Sequence, residues 1–313
     1  MNSLRMLCVG AVLLASLLRG GSAGAETLTC TELSTLPATI SSSGHYCLNA
    51  NFSQVFAASP ISINTNQVVL DCNDHAITQT GTGTPPVNGI NIVNRTNVTV
   101  RNCNVINFTR GIAISETAAG ASRNNRIEHN DIRKARIAGI QVGGSASIIE
   151  GNRISDNLGG SYPYTYGILV NSFGAQGVGN VVRNNIITNI APNIYVRVTG
   201  IYLLDVHNTA VKDNVISAMF PPRDLGVYGI VGSPTTLGTA AIGNTILSAT
   251  GGPPAGGGGL TYDGASYDGI RFDAAPSANN HNVCRSNTVG HFISNITAET
   301  GSVGCITDSN TAF

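Results

Sequence analysis

The sequence predicts an all-β protein, a solenoid in which short parallel strands stack as successive coils. Three observations support this fold class. Gly and Asn are poor residues inside helices, and the 313 residues include 37 Gly and 33 Asn. Short segments alternate apolar and polar residues, which is typical of strands with one buried face. Two such segments recur along the chain at intervals between 22 and 43 residues, the period of a repeat fold.

The first twenty-five residues are expected to be a secretory signal peptide. Arg5 supplies a positive charge, Met6 to Leu18 form an apolar run, and Ala23-Gly24-Ala25 provides small residues at a cleavage position before Glu26. No later run approaches the roughly 18 apolar residues of a membrane-spanning helix. We therefore expect a secreted or periplasmic protein without a membrane span.

Two units repeat after this segment, and they divide the chain into a cap with first strands at 26–60 and a solenoid at 61–313. The first unit is Gly-Ile-x-aliphatic, and its copies begin at Gly89, Gly111, Gly139, Gly167, Gly200, Gly229 and Gly269, after a related copy at Ile61–Ile63. The second unit is aliphatic-x-x-Asn-x-aliphatic, with its Asn at 130, 152, 185, 214, 244, 287 and 310. Together they predict about eight to nine coils, in which tight turns separate two or three strands.

The recurrent Asn and Gly are interpreted as structural residues. Asn adopts the left-handed conformation more readily than most residues and bonds to nearby backbone, so a stack of Asn could satisfy successive turns. The Gly before each Ile is interpreted as a turn residue. Neither repeat is therefore expected to mark a catalytic site.

The start of the repeat region resembles a known family. The segments that carry the resemblance are Ile40–Leu48 (ISSSGHYCL), Ile61–Ile63 (ISI) and Val69–Ile77 (VLDCNDHAI). With the repeats, they resemble right-handed parallel β-helix proteins of the pectate-lyase-like superfamily, including its carbohydrate-binding and sugar-hydrolase β-helix repeats. The resemblance covers about residues 38–310 and implies a single right-handed parallel β-helix with a polysaccharide as partner. It does not imply one activity, because the catalytic motifs of polygalacturonases, pectate lyases and alginate epimerases are missing from the sequence.

Six of the seven cysteines follow the expected signal peptide, which suggests three disulfides in an oxidising compartment. Six cysteines allow many pairings, but stacked coils favour one set. Cys72 and Cys103 occupy nearly equivalent points of consecutive coils, which lie about 4.8 Å apart. The other expected pairs are Cys284 with Cys305, one coil apart, and Cys30 with Cys47 in the N-terminal cap. A metal site is the alternative, although no Cys-x-x-Cys spacing supports it.

The functional surface is expected where the longest insertions occur, between an Asn unit and the next Gly-Ile unit. These insertions are residues 78–88, 155–166, 188–199, 217–228 and 247–268, and they should form the wall of a lateral groove. Eight of the nine tyrosines fall between residues 162 and 267, and a Tyr ring combines an apolar face with a hydrogen-bonding tip. We expect sugar contacts from Tyr166, Tyr202, Tyr228, Tyr262 and Tyr267. The alternative is that these rings pack on their own loops and on one another.

The strongest candidates for catalysis are Asp268, Arg271 and Asp273, with Asp263 as a candidate metal ligand. Arg271 and Asp273 alternate on one predicted strand and should both point outward. Paired carboxylates could act as acid and base in glycoside hydrolysis. Alternatively, the carboxylates could hold Ca²⁺ while Arg271 or a Tyr assists proton abstraction beside a uronate carboxylate. An exposed ion pair without catalytic function is the third interpretation, and His207 is a spare acid–base candidate.

The charge pattern excludes a strongly basic nucleic-acid binder, because the formal net charge is zero. A basic stretch from Arg95 to Arg153 could attract a polyanionic glycan, but it is interspersed with Glu and Asp, so a solvated surface is the favoured interpretation. We expect an exported monomer that binds polysaccharide, acidic or neutral, along a Tyr-lined groove, with weak or absent catalysis. Two alternatives stay open: an active lyase or hydrolase on acidic polysaccharide, and a structural or adhesive solenoid without a small-molecule site.

Overall fold

The computed structural model describes residues 29–81, 87–159, 163–172, 177–191, 197–219, 226–247, 267–273, 282–290, 294–298, 306–308 and 311–312. Within these ranges the chain forms 33 β-strands and no helix. None of the described residues therefore belongs to a helix that could cross a membrane. Nearly all strands lie in three long parallel sheets that the chain visits in turn, which confirms the predicted parallel solenoid.

Sheet 1 contains ten strands and includes the Gly-Ile units. Its strands are, in order, β2 (Ala38–Ile40), β5 (Ile61–Ile63), β8 (Asn88–Val93), β11 (Arg110–Ser115), β14 (Ala138–Gly143), β17 (Tyr164–Asn171), β21 (Arg197–Leu204), β25 (Val227–Gly232), β28 (Tyr267–Phe272) and β31 (Ser294–Ala298). The eight units that the sequence predicts are β5 to β28. The sheet continues by one strand at each end, where the sequence carries no such unit.

Sheets 2 and 3 complete each coil, and the Asn unit spans the corner between them. Sheet 2 consists of β1 (Thr31–Glu32), β3 (Gly44–Cys47), β6 (Val68–Asp71), β9 (Val98–Arg101), β12 (Arg126–Glu128), β15 (Ile148–Glu150), β19 (Val181–Arg183), β23 (Ala210–Lys212), β26 (Ala240–Ile242), β29 (Val283–Arg285) and β32 (Ile306–Asp308). Sheet 3 consists of β4 (Phe52–Gln54), β7 (Ala76–Gln79), β10 (Asn104–Ile106), β13 (Asp131–Arg133), β16 (Arg153–Ser155), β20 (Ile186–Ile190), β24 (Val215–Met219), β27 (Thr245–Leu247), β30 (Thr288–Gly290) and β33 (Thr311–Ala312). The short strands β18 (Gly177–Val178) and β22 (Val206–His207) pair between sheets 1 and 2.

The core fills the inside of the coil with aligned aliphatic side chains. One row in sheet 1 pairs strand to strand and is fully buried; it contains Ile90, Ile112, Ile140, Ile168, Ile201, Ile230 and Ile270. Burial of each such side chain contributes about 1.5–3 kcal/mol relative to exposure. Because side chains alternate along a strand, the position after each of these Ile faces outward, as Tyr202 and Arg271 do.

The Gly of each Gly-Ile unit lies inside a strand, so its interpretation as a turn residue is wrong. The positive backbone φ angles occur at other glycines. At Gly200, an added Cβ would lie 2.6 Å from the carbonyl oxygen of Gly229 in the next coil and 2.6 Å from Cγ2 of Ile216 in sheet 3. Gly167 meets the corresponding atoms of Gly200 and Ile187 at the same 2.6 Å. Gly is therefore required at this position, because the backbone of the next coil and a side chain of sheet 3 both approach it closely.

The recurrent Asn residues form a ladder of hydrogen bonds between coils, as their structural interpretation predicts. Its described members, which are at most 2% exposed, are Asn130, Asn152, Asn185, Asn214, Asn244 and Asn287. In the first five of them, Nδ2 donates to Oδ1 of the Asn in the next coil at 2.9–3.0 Å, and the backbone amide donates to the same oxygen. The left-handed conformation occurs one residue earlier, for example at His129 and Asn184. The Asn side chains thus join coils rather than form the turn themselves.

Two of the three predicted disulfides are confirmed. Cys30 pairs with Cys47 at a Cα–Cα distance of 5.7 Å, and Cys72 pairs with Cys103 at 4.7 Å. The Cys284–Cys305 pair stays a prediction, because Cys305 lies outside the described residues.

The basic stretch contributes ion pairs to the outer face of sheet 2. Arg126 pairs with Glu128 at 2.8 Å, and Glu150 of the stretch pairs with Arg183, which lies beyond it, at 2.8 Å. The hydrogen bond from Arg183 is the main cause that lowers the pKa of the Glu150 carboxyl. This pairing favours the interpretation of the stretch as a solvated surface.

Candidate functional site

The five insertions all occur where the chain passes from sheet 3 to sheet 1, in agreement with the predicted common side. Each is bordered by a sheet 3 strand before it and a sheet 1 strand after it, as β20 and β21 border residues 188–199. Beside this corner, the outer face of sheet 1 forms a groove of about 400 Å³. We call it the tyrosine groove; it is lined by Tyr164, Tyr166, Arg197, Thr199, Tyr202, Leu204, Tyr228, Val231, Arg271 and Asp273.

Strand register places these side chains in rows along the solenoid axis. Tyr166 of β17 aligns with Thr199 of β21, which aligns with Tyr228 of β25. The next outward row contains Leu169, Tyr202, Val231 and Arg271. Tyr166 and Tyr228 each directly precede a Gly-Ile pair, so their equivalent placement two coils apart agrees with the sequence pattern. The groove is therefore assembled from four successive coils.

Three tyrosine rings form a nearly parallel stack at one end of the groove. The Tyr166 and Tyr202 ring centroids are 5.5 Å apart with an interplanar angle of 7°, and those of Tyr164 and Tyr166 are 6.2 Å apart with an angle of 13°. Tyr166 and Tyr202 also pack on a small apolar cluster that contains Ala138 and Leu169. Tyr164 is 42% exposed. The stack is supported by the protein from below and is accessible to solvent at Tyr164.

Their surroundings keep the phenols of Tyr166 and Tyr202 protonated. Burial raises the pKa of Tyr166, and the neighbouring Tyr202 and Tyr164 add to this effect. Burial also raises the pKa of Tyr202, with a further contribution from the negative charges of Asp273 and Asp205. Both hydroxyls are therefore neutral near physiological pH and can each donate one hydrogen bond as well as accept.

Two arginines contact the tyrosines through their charge. The guanidinium carbon of Arg197 lies 5.6 Å from the Tyr164 ring centroid and 5.5 Å from that of Tyr228, and Arg271 lies 5.9 Å from the Tyr228 centroid. These are cation–π distances. Tyr228 is only 5% exposed, in contrast to Tyr164. The Tyr228 ring thus supports the two cations, whereas the other three rings stack on one another and are open to solvent at Tyr164.

Arg271 and Asp273 form an ion pair on the groove wall, with Nε and Oδ1 2.5 Å apart. Their side chains are 20% and 26% exposed. Asp273 directly follows β28, and its backbone amide donates to the carbonyl of Gly232 at 2.9 Å. Both residues face outward together, as the alternation predicts.

The structure brings together part of the set of predicted site residues. Tyr166, Tyr202, Tyr228, Arg271 and Asp273 all line the tyrosine groove. Tyr262 and Asp263 lie outside the described residues, as do the side chains of Tyr267 and Asp268, whose backbones belong to β28. Among the described side chains, no group of three or more His, Cys, Asp or Glu could hold a metal ion.

The spare acid–base candidate lies elsewhere. His207 belongs to β22, between sheets 1 and 2, and its Nε2 is 3.0 Å from the carbonyl oxygen of Thr235. It does not line the tyrosine groove.

Sequence reasoning missed Tyr164, Arg197 and Thr199 as groove residues. Tyr164 and Arg197 each stand three residues before the Gly of their unit, and the register pairs them directly. A strict period of two counted back from Ile168 and Ile201 would place both on the inner face, because the alternation is interrupted at the Gly. The sequence pattern therefore did not reveal them.

Comparisons with known proteins concern the fold. A family model described as a right handed beta helix region matches residues 61–246, more than half of the chain. No curated protein sequence matches this chain.

Three solved structures are similar at low sequence identity. The A-module of a mannuronan C-5 epimerase from Azotobacter vinelandii is 12% identical, with 86% of this chain and 80% of that chain covered and a TM-score of 0.42. The catalytic domain of a GH87 α-1,3-glucanase in complex with tetrasaccharides is 12% identical, with coverage of 90% and 63% and a TM-score of 0.48. The Dettilon tailspike protein is 14% identical, with coverage of 90% and 60% and a TM-score of 0.34. The chain thus spans less than two thirds of the glucanase and tailspike chains.

Proposed function

This chain belongs to the right-handed β-helix family, and we propose that it is an exported protein that binds polysaccharide in the tyrosine groove, with catalysis weak or absent. The observation that carries the proposal is the parallel stack of Tyr164, Tyr166 and Tyr202 on the outer face of sheet 1. Aromatic rings with protonated hydroxyls offer a sugar both an apolar face and hydrogen-bond donors.

The direction of the stack suits an extended ligand. Tyr166 and Tyr202 come from successive coils, and Tyr202 lies three positions beyond the residue that pairs with Tyr166, so the aromatic surface crosses two coils obliquely. Arg197, on the strand of Tyr202, and Arg271 and Asp273, two coils further along, add charged groups to this surface. A groove with polar groups at several successive positions favours a chain of sugars over a single small molecule.

The disulfide bonds support export, as does the expected signal peptide. Two disulfides join Cys30 to Cys47 and Cys72 to Cys103. Such bonds persist in oxidising compartments and are rare in the cytosol. We therefore place the protein in the periplasm or outside the cell.

Removal of one ring from the stack tests the binding proposal. Tyr202→Ala should weaken polysaccharide binding by about tenfold, because a ring–sugar packing contact is lost, whereas Tyr202→Phe should retain most of it. The measurement is affinity electrophoresis and calorimetry against pectic, alginate-like and neutral polysaccharides.

The matched control is Tyr46→Ala. This change removes a ring from sheet 2, whereas the groove lies on sheet 1. Its melting temperature should be compared with that of Tyr202→Ala, so that loss of folding is not mistaken for loss of binding. Unchanged affinity in Tyr202→Ala, with normal folding, would overturn the proposal.

The ion pair of Arg271 and Asp273 favours a second candidate function, an active lyase or hydrolase on acidic polysaccharide. It puts a carboxylate and a guanidinium on the wall of the same groove. Asp268, one residue before the Gly-Ile pair of β28, is the proposed second carboxylate, and Asp263 is the proposed Ca²⁺ ligand. Two carboxylates would serve as acid and base in hydrolysis, while Ca²⁺ would lower the charge of a uronate in a lyase reaction.

Product analysis separates these activities. The protein is incubated with the same polysaccharides with and without Ca²⁺, and unsaturated uronate and new reducing ends are measured together. Unsaturated product that requires Ca²⁺ and disappears in Asp268→Asn would support a lyase. Reducing ends without unsaturation would support hydrolysis, and absence of both would exclude catalysis on these substrates.

A further inference from the structure

The two guanidinium groups of the tyrosine groove differ in their charge partners. Arg271 is paired with Asp273. Arg197, in the part of the chain that the structure describes, has no carboxylate within 4.0 Å, and its side chain contacts the rings of Tyr164 and Tyr228. The groove therefore contains one neutralised cation and one uncompensated cation.

Among the described residues, none accepts a hydrogen bond from the Arg197 guanidinium, and two rings hold it in place. Cation–π contact engages the charge of a guanidinium with the ring faces, while its five N–H groups stay available to a ligand. The Arg197 side chain is exposed, and its backbone amide donates to the carbonyl of Pro163 at 3.0 Å. It is thus a positioned donor at the open side of the groove.

The charges around Arg197 select the sign and the location of a ligand group. An anionic ligand would be attracted to Arg197, whereas Asp273 repels it from the Arg271 side. A planar guanidinium matches a carboxylate through two parallel hydrogen bonds. The neighbouring stack of Tyr164, Tyr166 and Tyr202 provides the surface for the sugar ring that carries the carboxylate.

We propose that Arg197 makes the groove selective for glycans that carry carboxylates, by pairing with a uronic-acid group while the tyrosine stack holds the sugar ring. This inference rests on the proposed function, because it concerns the same groove. It goes further in that it names the substrate class and the residue that determines it.

The test compares each acidic oligosaccharide with its uncharged counterpart. The probes are oligogalacturonate with its fully methyl-esterified form, and oligomannuronate with its carboxyl-reduced form. Wild-type protein should bind an acidic form about tenfold more tightly than its neutral form, since a charge-assisted hydrogen bond is lost on neutralisation. Arg197→Gln should remove this preference, and Arg197→Lys should restore only part of it. Salt should weaken acidic binding less in Arg197→Gln than in the wild type.

The matched control is Arg153→Gln, which removes the same charge from an exposed position on sheet 3 and should leave the preference unchanged. A preference for acidic forms that persists in Arg197→Gln would overturn the inference, as would equal wild-type affinity for both forms of each probe. Tighter binding of sulfated galactan, lost in Arg197→Gln, would assign the residue to sulfate and overturn the carboxylate assignment.

The closing measurement separates the two proposals. If Tyr202→Ala weakens the acidic and neutral forms equally while Arg197→Gln changes neither, the groove binds glycans without charge selection, and only the present inference fails. If neither form binds to the wild type, both this inference and the proposed function fail.

Discussion

Tyr166 and Tyr228 occupy equivalent positions two coils apart, yet their surroundings differ. Tyr166 stacks between two other tyrosines, whereas Tyr228 lies beneath Arg197 and Arg271 and is 5% exposed. The position in the repeat determines the direction in which a side chain points. Side chains from adjacent coils determine its burial, and these neighbours vary along the chain. The role of a residue is therefore determined by the side chains that contact it from the preceding and the following coil.

A methyl group added at Gly200 tests the close approach of the coils. Gly200→Ala should lower the free energy of unfolding by about 3 kcal/mol, since overpacking against fixed neighbours distorts the fold. The atoms it meets include a backbone carbonyl oxygen at 2.6 Å, which cannot turn away as a side chain could. Urea denaturation of the purified protein measures the change.

Gly120 is the control for this substitution. It has a φ of +70° and open space around the added Cβ, so Gly120→Ala should cost only about 1–2 kcal/mol through the left-handed conformation. A loss in Gly200→Ala no larger than that in Gly120→Ala would contradict the close-approach explanation.

Among the elements of the fold, the corners between sheets contain the rows of side-chain hydrogen bonds that link successive coils. The Asn ladder follows the corner between sheets 2 and 3, and its constant residue type made it visible in the sequence. A second row follows the corner between sheets 1 and 2, where Asn125, Ser147 and Asn180 connect coils in the same way. Its residue type varies, so the sequence pattern did not reveal it. A sequence repeat reveals such a row when only one residue type can make its hydrogen bonds.

Removal of one ladder member should destabilise the protein strongly. Asn214 accepts from the amide and Nδ2 of Asn185 and donates to Val182 and Asn244. Asn214→Ala leaves these buried groups without partners, at about 1–3 kcal/mol each, so we expect a total loss of about 3–5 kcal/mol. Lys212→Ala, an exposed change two residues earlier, is the control in thermal and urea denaturation. Equal stability of the two variants would refute the energetic role of the ladder.

Over the whole molecule, the sequence predicted the solenoid, the side of the insertions and the outward direction of Arg271 and Asp273. These features follow from periods of two residues and of one coil. It gave packing of the tyrosine rings on one another only as an alternative, without the Tyr166–Tyr202 pair, and it did not predict the Arg197–Tyr228 contact. These contacts join residues 36 and 31 positions apart in the sequence and depend on side-chain rotamers. Such contacts become visible only when the rows of neighbouring coils are aligned.

A solenoid should respond locally to loss of one covalent bond, because each coil contacts only its neighbours. Replacement of both Cys72 and Cys103 by Ala should cost about 2–4 kcal/mol. Hydrogen exchange should accelerate in β6 to β10, while β21 and β25 keep their protection and the groove keeps its affinity. Faster exchange that is uniform along all three sheets would contradict this local response.

The disulfide between Cys72 and Cys103 also sets where the Asn ladder begins. Cys103 precedes its sheet 3 strand as each ladder Asn does, and its amide donates to Oδ1 of Asn130 at 3.0 Å. Along this line, which runs parallel to the solenoid axis, the link between successive coils therefore changes from a disulfide to Asn hydrogen bonds. The coils from Asn130 to Asn287 are joined on this line by amide links that do not depend on the redox state. Reduction of the disulfide would therefore remove the link on this line only between the coils of Cys72 and Cys103, which parallel strands in all three sheets continue to join.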